Sequence, residues 1–353
     1  MRAVVFTGHG EPLEVSTVDP PTPDPTGVVV ELEACGICRS DWHAWQGDPV
    51  WAERGLAAGH VLGHEPAGTV RAVGDEVETV SEGDHVTVPF NLADGTCHQC
   101  RTGHANLCEN RRSLGLEPAV PGAFAEQLHV PDADVNVVQL PDSVSSVDMA
   151  GLGCRFMTAF HGLVHQADVD AGDWVAVHGC GGVGLSAVHI AAALGANVVA
   201  VDLFAEKLDF AERLGAAATV DADAIEDVPS EIHDITDGGA HVSVDALGIA
   251  TTCQNSVNCL RTRGQHVQIG LTTRTEGGQV ALPTDRIVGK ELSVVGAIGM
   301  APARYDELFR FLENDRIDPA KIVAERVALE ETPETLAAMT DYDTMGIPVI
   351  DDF

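Results

Sequence analysis

The chain is 353 residues long, 45% of them apolar, and it carries a formal charge of −34 from 54 acidic and 20 basic side chains. The length predicts two domains with sizeable cores, and the charge argues against a nucleic-acid partner because phosphate would be repelled. The longest apolar run, residues 185–201, is interrupted by polar residues and glycine, so we expect no membrane-spanning helix.

The first part of the chain, to about residue 149, has the pattern of a β-rich domain. Apolar residues predict strands over 28–33, 68–74 and 85–88, the last of them after a turn at 82–84. Four prolines between Pro20 and Pro25 predict an extended segment before the first of these strands.

From about residue 151 the pattern changes to strands alternating with helices. In chain order we predict strand 174–178, helix 185–194, strand 197–201, helix 206–214, strands 217–220 and 241–245, helix 253–261, and strands 266–269 and 292–295. This alternation is typical of a doubly wound parallel sheet. One more helix follows over 305–312, and because this segment is too short for a third domain, we expect it to return to the first.

A glycine-rich segment after strand 174–178 matches the dinucleotide-binding pattern G-x-G-x-x-G. Gly179 would allow the tight turn, Gly181 the approach of a pyrophosphate, and Gly184 the close packing of helix and strand. Asp202, 18 residues after Gly184, can accept hydrogen bonds from ribose hydroxyls and would repel a 2′-phosphate, so NAD is favoured over NADP. The expected coenzyme residues are Gly179, Gly181, Gly182, Val183, Gly184, Asp202 and Lys207.

Three residues that lie far apart in the sequence have the types that a catalytic zinc requires. Cys38 lies in the run Cys35–His43, His64 follows after another short segment, and Cys154 stands alone further on. Catalytic zinc takes three nitrogen, sulfur or carboxylate ligands from the protein and keeps one position open for water or substrate. Each thiol alone could be a small buried hydrophobe, but with a dinucleotide motif downstream zinc is the favoured interpretation.

Composition also bears on where the protein works. Nine cysteines without a secretion signal indicate metal ligation rather than disulfides, and hence a cytoplasmic protein. The excess of acidic side chains repels itself in dilute salt, whereas at molar salt the screening length shrinks to about 3 Å. We therefore predict a protein from an extreme halophile, in preference to an ordinary acidic protein of a mesophile.

Together these residues resemble the zinc-dependent alcohol dehydrogenases of the medium-chain dehydrogenase/reductase superfamily, over nearly the whole chain. The resemblance rests on the zinc signature Gly63-His64-Glu65-x-x-Gly68 with Gly74 and Val77, the box Cys38–Asp41, the pair Gly153-Cys154 and the Rossmann glycines. It implies a GroES-like β-rich catalytic domain, residues 1–154 and 296–353, interrupted by a Rossmann NAD-binding domain, residues 155–295. It also implies a homodimer or homotetramer.

The resemblance further implies which residues surround the catalytic metal. Cys38, His64 and Cys154 would bind a zinc that acidifies the bound alcohol. Asp41 would orient His64, and Glu65 would lie beside the metal.

Other roles in the reaction are implied for four residues. Ser40 would pass the proton of the alcohol through the nicotinamide ribose to His43 and solvent, since a hydroxyl both donates and accepts. Phe90 and Trp51 would line the substrate pocket. The alternatives are a surface histidine for His43 and ordinary core packing for the tryptophan.

The sequence departs from the family in two places. The lobe for a structural zinc, four cysteines in the family, here has Asp94, Cys97, Cys100 and Cys108. A carboxylate can bind zinc, so we expect a weaker site of one aspartate and three thiolates, with an empty lobe as the alternative. Near the C-terminus Ile347 stands where many members have an arginine that holds the pyrophosphate.

The predicted function is the transfer of hydride between an alcohol and NAD(P). A polyol or sugar dehydrogenase of the same fold is the nearest alternative, although aromatic residues at the site argue against a polar pocket. A zinc-free quinone or enoyl reductase would lack Cys38 or His64, and a non-enzymatic relative would not keep ligands, relay and coenzyme loop together. The substrate and its stereochemistry stay open.

Overall fold

The computed structural model of the protein describes residues 1–341 and 344–353. Its strands, in chain order, are β1 Arg2–Val5, β2 Glu14–Thr17, β3 Val28–Gly36, β4 Glu65–Val73, β5 His85–Thr87, β6 Asn91–Leu92, β7 Arg112–Ser113, β8 Gln127–Val130, β9 Val138–Gln139, β10 Trp174–His178, β11 Asn197–Asp202, β12 Ala218–Asp221, β13 Ala240–Asp245, β14 Leu260–Gln268, β15 Ser293–Gly296, β16 Val323–Ala328 and β17 Ile347–Asp352.

The α-helices are α1 Arg39–Gln46, α2 Pro49–Ala52, α3 His98–Arg101, α4 Ala133–Asn136, α5 Ser146–Gly151, α6 Cys154–Phe160, α7 Gly182–Leu194, α8 Ala205–Arg213, α9 Val228–Ile235, α10 Ala250–Asn258, α11 Thr284–Lys290, α12 Tyr305–Glu313 and α13 Thr332–Ala338. A π-helix over His161–Gln166 continues α6, and 3₁₀ turns cover Ala105–Leu107, Pro302–Arg304, Pro319–Lys321, Leu329–Glu331 and Met339–Asp341. The chain divides into two compact units, Met1–Cys154 with Gly299–Phe353, and Arg155–Ile298.

A seven-stranded sheet forms the centre of the first unit, in the order β16-β17-β3-β4-β5-β9, with β8 also paired to β3. All its pairs are antiparallel except β16 with β17. In β3 the acidic Glu31 and Glu33 are exposed while Leu32 between them is buried, the period of two that predicted this strand. The late strand β17 pairs with β3, so the last part of the chain lies in this unit.

Six parallel strands form the second unit, in the order β12-β11-β10-β13-β14-β15. Counted by their succession in this unit the order is 3-2-1-4-5-6, which is the Rossmann arrangement. The predicted doubly wound sheet is therefore confirmed. In the described part of the chain, no helix has both the length and the hydropathy needed to cross a bilayer.

Three elements of the second unit begin three or more residues before their predicted positions. Helix α7 begins at Gly182, three residues before the predicted helix 185–194. Helix α10 begins three residues before the predicted helix 253–261, because its first turn, Ala-Thr-Thr, has no apolar periodicity to mark a start. Strand β14 begins six residues before the predicted strand 266–269. Its early part was missed because Arg263, with a φ of 64°, interrupts the alternation, and the pairing with β13 shifts register there.

Candidate metal and coenzyme sites

Four predicted side chains of the first unit meet at one point. One ligand atom each from Cys38, His64, Glu65 and Cys154 lies within 4.8 Å of all the others. The first three residues are buried, and Cys154 is partly exposed. They come from different elements: Cys38 immediately precedes α1, His64 precedes β4, Glu65 begins β4, and Cys154 begins α6. The fold thus brings together residues up to 116 positions apart in the sequence.

The imidazole of His64 is fixed by a buried carboxylate. Nδ1 of His64 donates to Oδ1 of Asp41 at 2.8 Å, and neither side chain is exposed to solvent. Asp41 also accepts the backbone N–H groups of Gly63 and Cys38, both at 3.1 Å. Asp41 therefore orders the loop on each side of the cluster and sets the tautomer of the histidine.

The other ring nitrogen of His64, Nε2, is the one available to a metal ion. Nε2 is buried, and the neighbouring Cys38 side chain interacts with the imidazole. Burial lowers the pKa of His64, but the charges of Asp41 and Cys38 outweigh it and raise that pKa well above its ordinary value. The cluster therefore stabilises a positive charge where the imidazole and two thiols converge, which fits a zinc ion in place of the proton.

Glu65 is held in place by two glycines. A Cβ added to Gly36 would lie 2.3 Å from Oε2 of Glu65, and one added to Gly153 would lie 2.5 Å from its Cβ. Real carbon atoms do not approach so closely, so both positions require glycine. Larger residues there would push the carboxylate away from the neighbouring Cys154.

Helix α1 carries the two residues predicted to relay the proton. Ser40 and His43 are three positions apart and therefore share one face of the helix. Nδ1 of His43 donates to Oδ2 of Asp48 at 2.5 Å, a contact that the sequence did not predict.

The two predicted pocket residues differ in their surroundings. The ring of Phe90 meets the His64 imidazole edge to face, with centroids 5.8 Å apart, and so lies next to the metal cluster. Trp51 is only 7% exposed and packs in the hydrophobic core of the first unit, with its ring against the Arg54 guanidinium.

A second cluster joins Asp94, Cys97, Cys100 and Cys108. The sulfur of Cys97 lies 3.4 Å from that of Cys100 and 3.9 Å from that of Cys108, and Oδ1 of Asp94 lies 3.6 Å and 3.4 Å from these last two. A tetrahedron with zinc–sulfur bonds of 2.3 Å has edges of about 3.8 Å. The four residues are therefore spaced as zinc ligands.

Hydrogen bonds and burial shift the pKa values of the side chains in this second cluster. The Asn110 amide, at 2.7 Å, and the Thr96 N–H hold the pKa of the Asp94 carboxyl well below its usual range. Backbone N–H groups of Cys100 and Glu109 lower the pKa of Cys97 to about 7, whereas burial and the adjacent thiols raise that of Cys100 to about 12. Only part of the cluster ionises readily without a cation to gather the remaining charge.

The glycine loop of the second unit has the predicted geometry. Gly179 has a φ of 92°, and a Cβ on Gly184 would lie 1.7 Å from the Gly179 carbonyl oxygen. Asp202 ends β11, where its carboxylate accepts the backbone N–H groups of Cys180 at 2.6 Å and Leu203 at 2.8 Å. The acid is thereby fixed beside the loop.

Comparison with known proteins decides the family. Residues 24–142 match the alcohol dehydrogenase GroES-like domain and residues 182–314 match zinc-binding dehydrogenase. An alcohol dehydrogenase of Rhizobium meliloti is 35% identical over 321 residues, 90% of this chain and 89% of that protein. The chain belongs to the zinc-type alcohol dehydrogenases of the medium-chain superfamily.

Two more proteins resemble this zinc-type alcohol dehydrogenase along its whole length. The NAD-dependent alcohol dehydrogenase of Sulfurisphaera tokodaii is 30% identical, with 99% of each chain covered. The structure of alcohol dehydrogenase TADH from Thermus sp. ATN1 matches with a TM-score of 0.90, 32% identity and 100% of each chain covered. The predicted fold class, the enzyme class and the use of zinc and NAD(P) are thus confirmed.

Sequence reasoning missed some residues of this alcohol dehydrogenase. Asn110 and Asp48 give no signal of their own, because each acts only through the side chain it contacts. Arg155 is 5% exposed, and its side chain covers Gly182 so closely that a Cβ there would lie 2.6 Å from Cδ of the arginine. Arg155 thus places a buried cationic side chain against Gly182, the first residue of α7, next to the coenzyme loop. In the sequence, only its position directly after Cys154 indicated that it could lie near a site.

Proposed function

We propose that Cys38, His64 and Cys154 bind the catalytic zinc of this alcohol dehydrogenase. The observation that carries the assignment is the convergence of their ligand atoms within 4.8 Å of one another, while Asp41 holds Nδ1 of His64 at 2.8 Å. One imidazole beside two thiols suits a site of one nitrogen and two sulfurs. Glu65 supplies a carboxylate next to these ligands.

Side chains of the protein then transfer the proton of the alcohol to solvent. When bound, zinc acidifies the alcohol and NAD accepts its hydride. Asp41 keeps the proton of His64 on Nδ1, so that Nε2 stays available for the metal. Ser40 would accept the proton of the alcohol and release a proton toward His43, which lies on the same face of α1 and would pass it to solvent. In the reduction of an aldehyde or ketone the proton moves in the opposite direction.

Zinc content and turnover test this assignment. Cys38→Ser should lose one zinc per chain and at least about 1,000-fold in kcat, a barrier increase of roughly 4 kcal/mol, because the alcohol is no longer acidified. Cys253→Ser, which removes a buried thiol outside both clusters, is the matched control and should keep its zinc and its turnover. A Cys38→Ser enzyme that retained both would contradict the assignment.

We infer that the coenzyme is NAD rather than NADP. Asp202 supports this choice, since its fixed carboxylate would repel a 2′-phosphate. Leu203 and Phe204, which follow it, carry no charge, and the predicted coenzyme residue Lys207, with Nζ 4.8 Å from the centroid of the Phe204 ring, is buried. We also infer a cytoplasmic location, because all nine cysteines are thiols.

We propose an apolar alcohol, with its aldehyde or ketone, as the substrate pair. Phe90 supports this, because its ring lies against His64 and would present an apolar face to an alcohol bound at that ligand. Trp51, the other residue predicted to line the pocket, packs in the hydrophobic core, so Phe90 carries this proposal. A polyol or sugar would need polar partners, which Phe90 does not supply.

We further propose that the two compact units are the catalytic and coenzyme domains, with limits near those predicted at residues 154 and 296. The lobe of Asp94, Cys97, Cys100 and Cys108 would hold a second, structural zinc, supported by the 3.4–3.9 Å separations of its ligand atoms.

A homo-oligomer is the assembly that we propose. Strand β15 lies at the edge of the six-stranded sheet, and Val294 within it is 43% exposed, while Val288 of the adjacent α11 is 74% exposed. An exposed apolar edge strand tends to pair with another strand, and the same strand of a second copy would fit by two-fold symmetry. Val294→Lys should yield monomers in sedimentation experiments. An unchanged oligomer would show that the copies do not associate through β15.

A further inference from the structure

The end of helix α1 returns the chain toward the helix. Gly47 follows the helix with a φ of 70°, the left-handed conformation that glycine tolerates best. The next N–H, that of Asp48, donates to the His43 carbonyl at 3.1 Å, and the Asp48 carbonyl accepts from Trp51 and Ala52, both at 2.8 Å. Asp48 is thus held by both of its backbone groups, one toward α1 and one toward α2.

This backbone places the carboxylate of Asp48 on the imidazole of His43. Oδ2 accepts from Nδ1 at 2.5 Å, and the two side chains are only 23% and 28% exposed. Trp42 meets the same imidazole edge to face, with centroids 5.1 Å apart, and limits its rotation. Because the proton of the neutral ring is then on Nδ1, the lone pair is on Nε2.

We propose that Asp48 is a positioning residue of the proton relay, which fixes His43 in the tautomer whose Nε2 accepts the proton and stabilises the imidazolium that forms. The proposal rests on the proposed relay function of His43. Asp48 does not itself touch the alcohol or transfer the proton. It acts through the ring, as the buried carboxylate does in other histidine–carboxylate pairs.

The charges around His43 determine in which direction its pKa should move when Asp48 is changed. Burial lowers the pKa of His43, Asp48 raises it, Arg39 lowers it and Cys38 raises it, and the balance is below the ordinary value. Removing the charge of Asp48 must lower that pKa further. Since neutral His43 accepts the proton during alcohol oxidation, the acid limb of the activity profile should then move to lower pH.

The test is the pH dependence of kcat/KM for an alcohol, measured on the zinc-loaded enzyme in two backgrounds. Asp48→Asn keeps the shape and a hydrogen-bond acceptor but loses the charge, and should move the acid limb down by about one pH unit. Asp48→Ala also frees the ring to change tautomer, and should lower kcat/KM by roughly tenfold or more near neutral pH. Glu53→Gln removes an exposed charge on the same segment that makes no contact with His43 in the described part of the chain, and should leave the profile unchanged.

His43→Gln provides the decisive background. There Asp48→Asn and Asp48→Ala should have no further effect on the profile, because the group through which they act is gone. Equal effects in both backgrounds, or no effect in either, would overturn the positioning role. If His43→Gln alone left the wild-type profile unchanged, the relay itself would be wrong and the role of Asp48 with it. Circular dichroism of each variant shows whether a loss of activity reflects unfolding.

Discussion

At the scale of single residues, Asp202 combines two tasks. Its carboxylate organises the coenzyme loop through the backbone N–H groups of Cys180 and Leu203, and its charge is placed where a 2′-phosphate would be repelled. A substitution that removes the whole side chain therefore changes both loop order and electrostatics. Only an isosteric change separates them.

Asp202→Asn and Asp202→Gly should both raise the ratio of kcat/KM with NADP to that with NAD, by at least about tenfold, which is about 1.4 kcal/mol. Asp202→Asn should keep NAD affinity closer to wild type, because an amide oxygen can still accept the loop N–H groups. Steady-state kinetics with both coenzymes measure the ratio. An unchanged ratio in both variants would show that Asp202 does not select the coenzyme.

At the scale of elements, the zinc proposed for the lobe between Asp94 and Cys108 would stabilise this lobe more than packing does. Its helix α3 has four residues and none of them is buried, so little apolar contact holds it. A metal whose free concentration is 100 times its dissociation constant adds about 2.7 kcal/mol to the free energy of unfolding. Zinc would thus supply much of the local stability.

Asp94→Ala should release the lobe zinc and lower Tm by roughly 5–10 °C, while the catalytic zinc and kcat persist. Asp94→Cys, which provides a fourth thiolate, should hold zinc against chelator longer than wild type. Elemental analysis and calorimetry measure both effects. If Asp94→Ala kept two zincs per chain, the aspartate would not be a ligand.

The elements show what sequence can and cannot predict here. Strand β10 was predicted at the limits it has, because five apolar or aromatic residues between polar turns leave little choice. The cluster of Cys38, His64 and Cys154 was predicted because metal ligation restricts residue types. The contact of Asp48 with His43 was not, since it depends on a left-handed turn whose direction no periodicity reveals.

At the scale of the whole molecule, charge is the dominant feature. Only three of the 20 basic residues are lysines, and 54 acids outnumber all of them. Most of the ion pairs join side chains that are about a quarter or more exposed, where a pair contributes about 0–1 kcal/mol. Local pairing therefore contributes little against the repulsion of the remaining acids, and we expect salt to screen that repulsion.

We predict that Tm rises by roughly 10 °C between 0.1 M and 3 M KCl, which corresponds to about 3–5 kcal/mol for units of this size. Activity should be lost at the low salt concentrations at which Tm falls. Calorimetry over a salt series measures this, with sucrose at matched water activity as the uncharged control. Equal stability at both salt concentrations would refute adaptation to high salt.

The pairing of β17 with β3 has a consequence for biosynthesis. Val349 lies opposite Gly36 and Ile350 opposite Cys35, so the sheet beside Cys38 closes only after more than 300 further residues have been translated. At 5–20 residues per second the ribosome needs about 15–60 s for them. Residues 155–298 form a continuous stretch, and translation of the last 55 residues takes about 3–11 s more. We therefore expect the six-stranded sheet to begin folding before the sheet beside Cys38 receives its last strand.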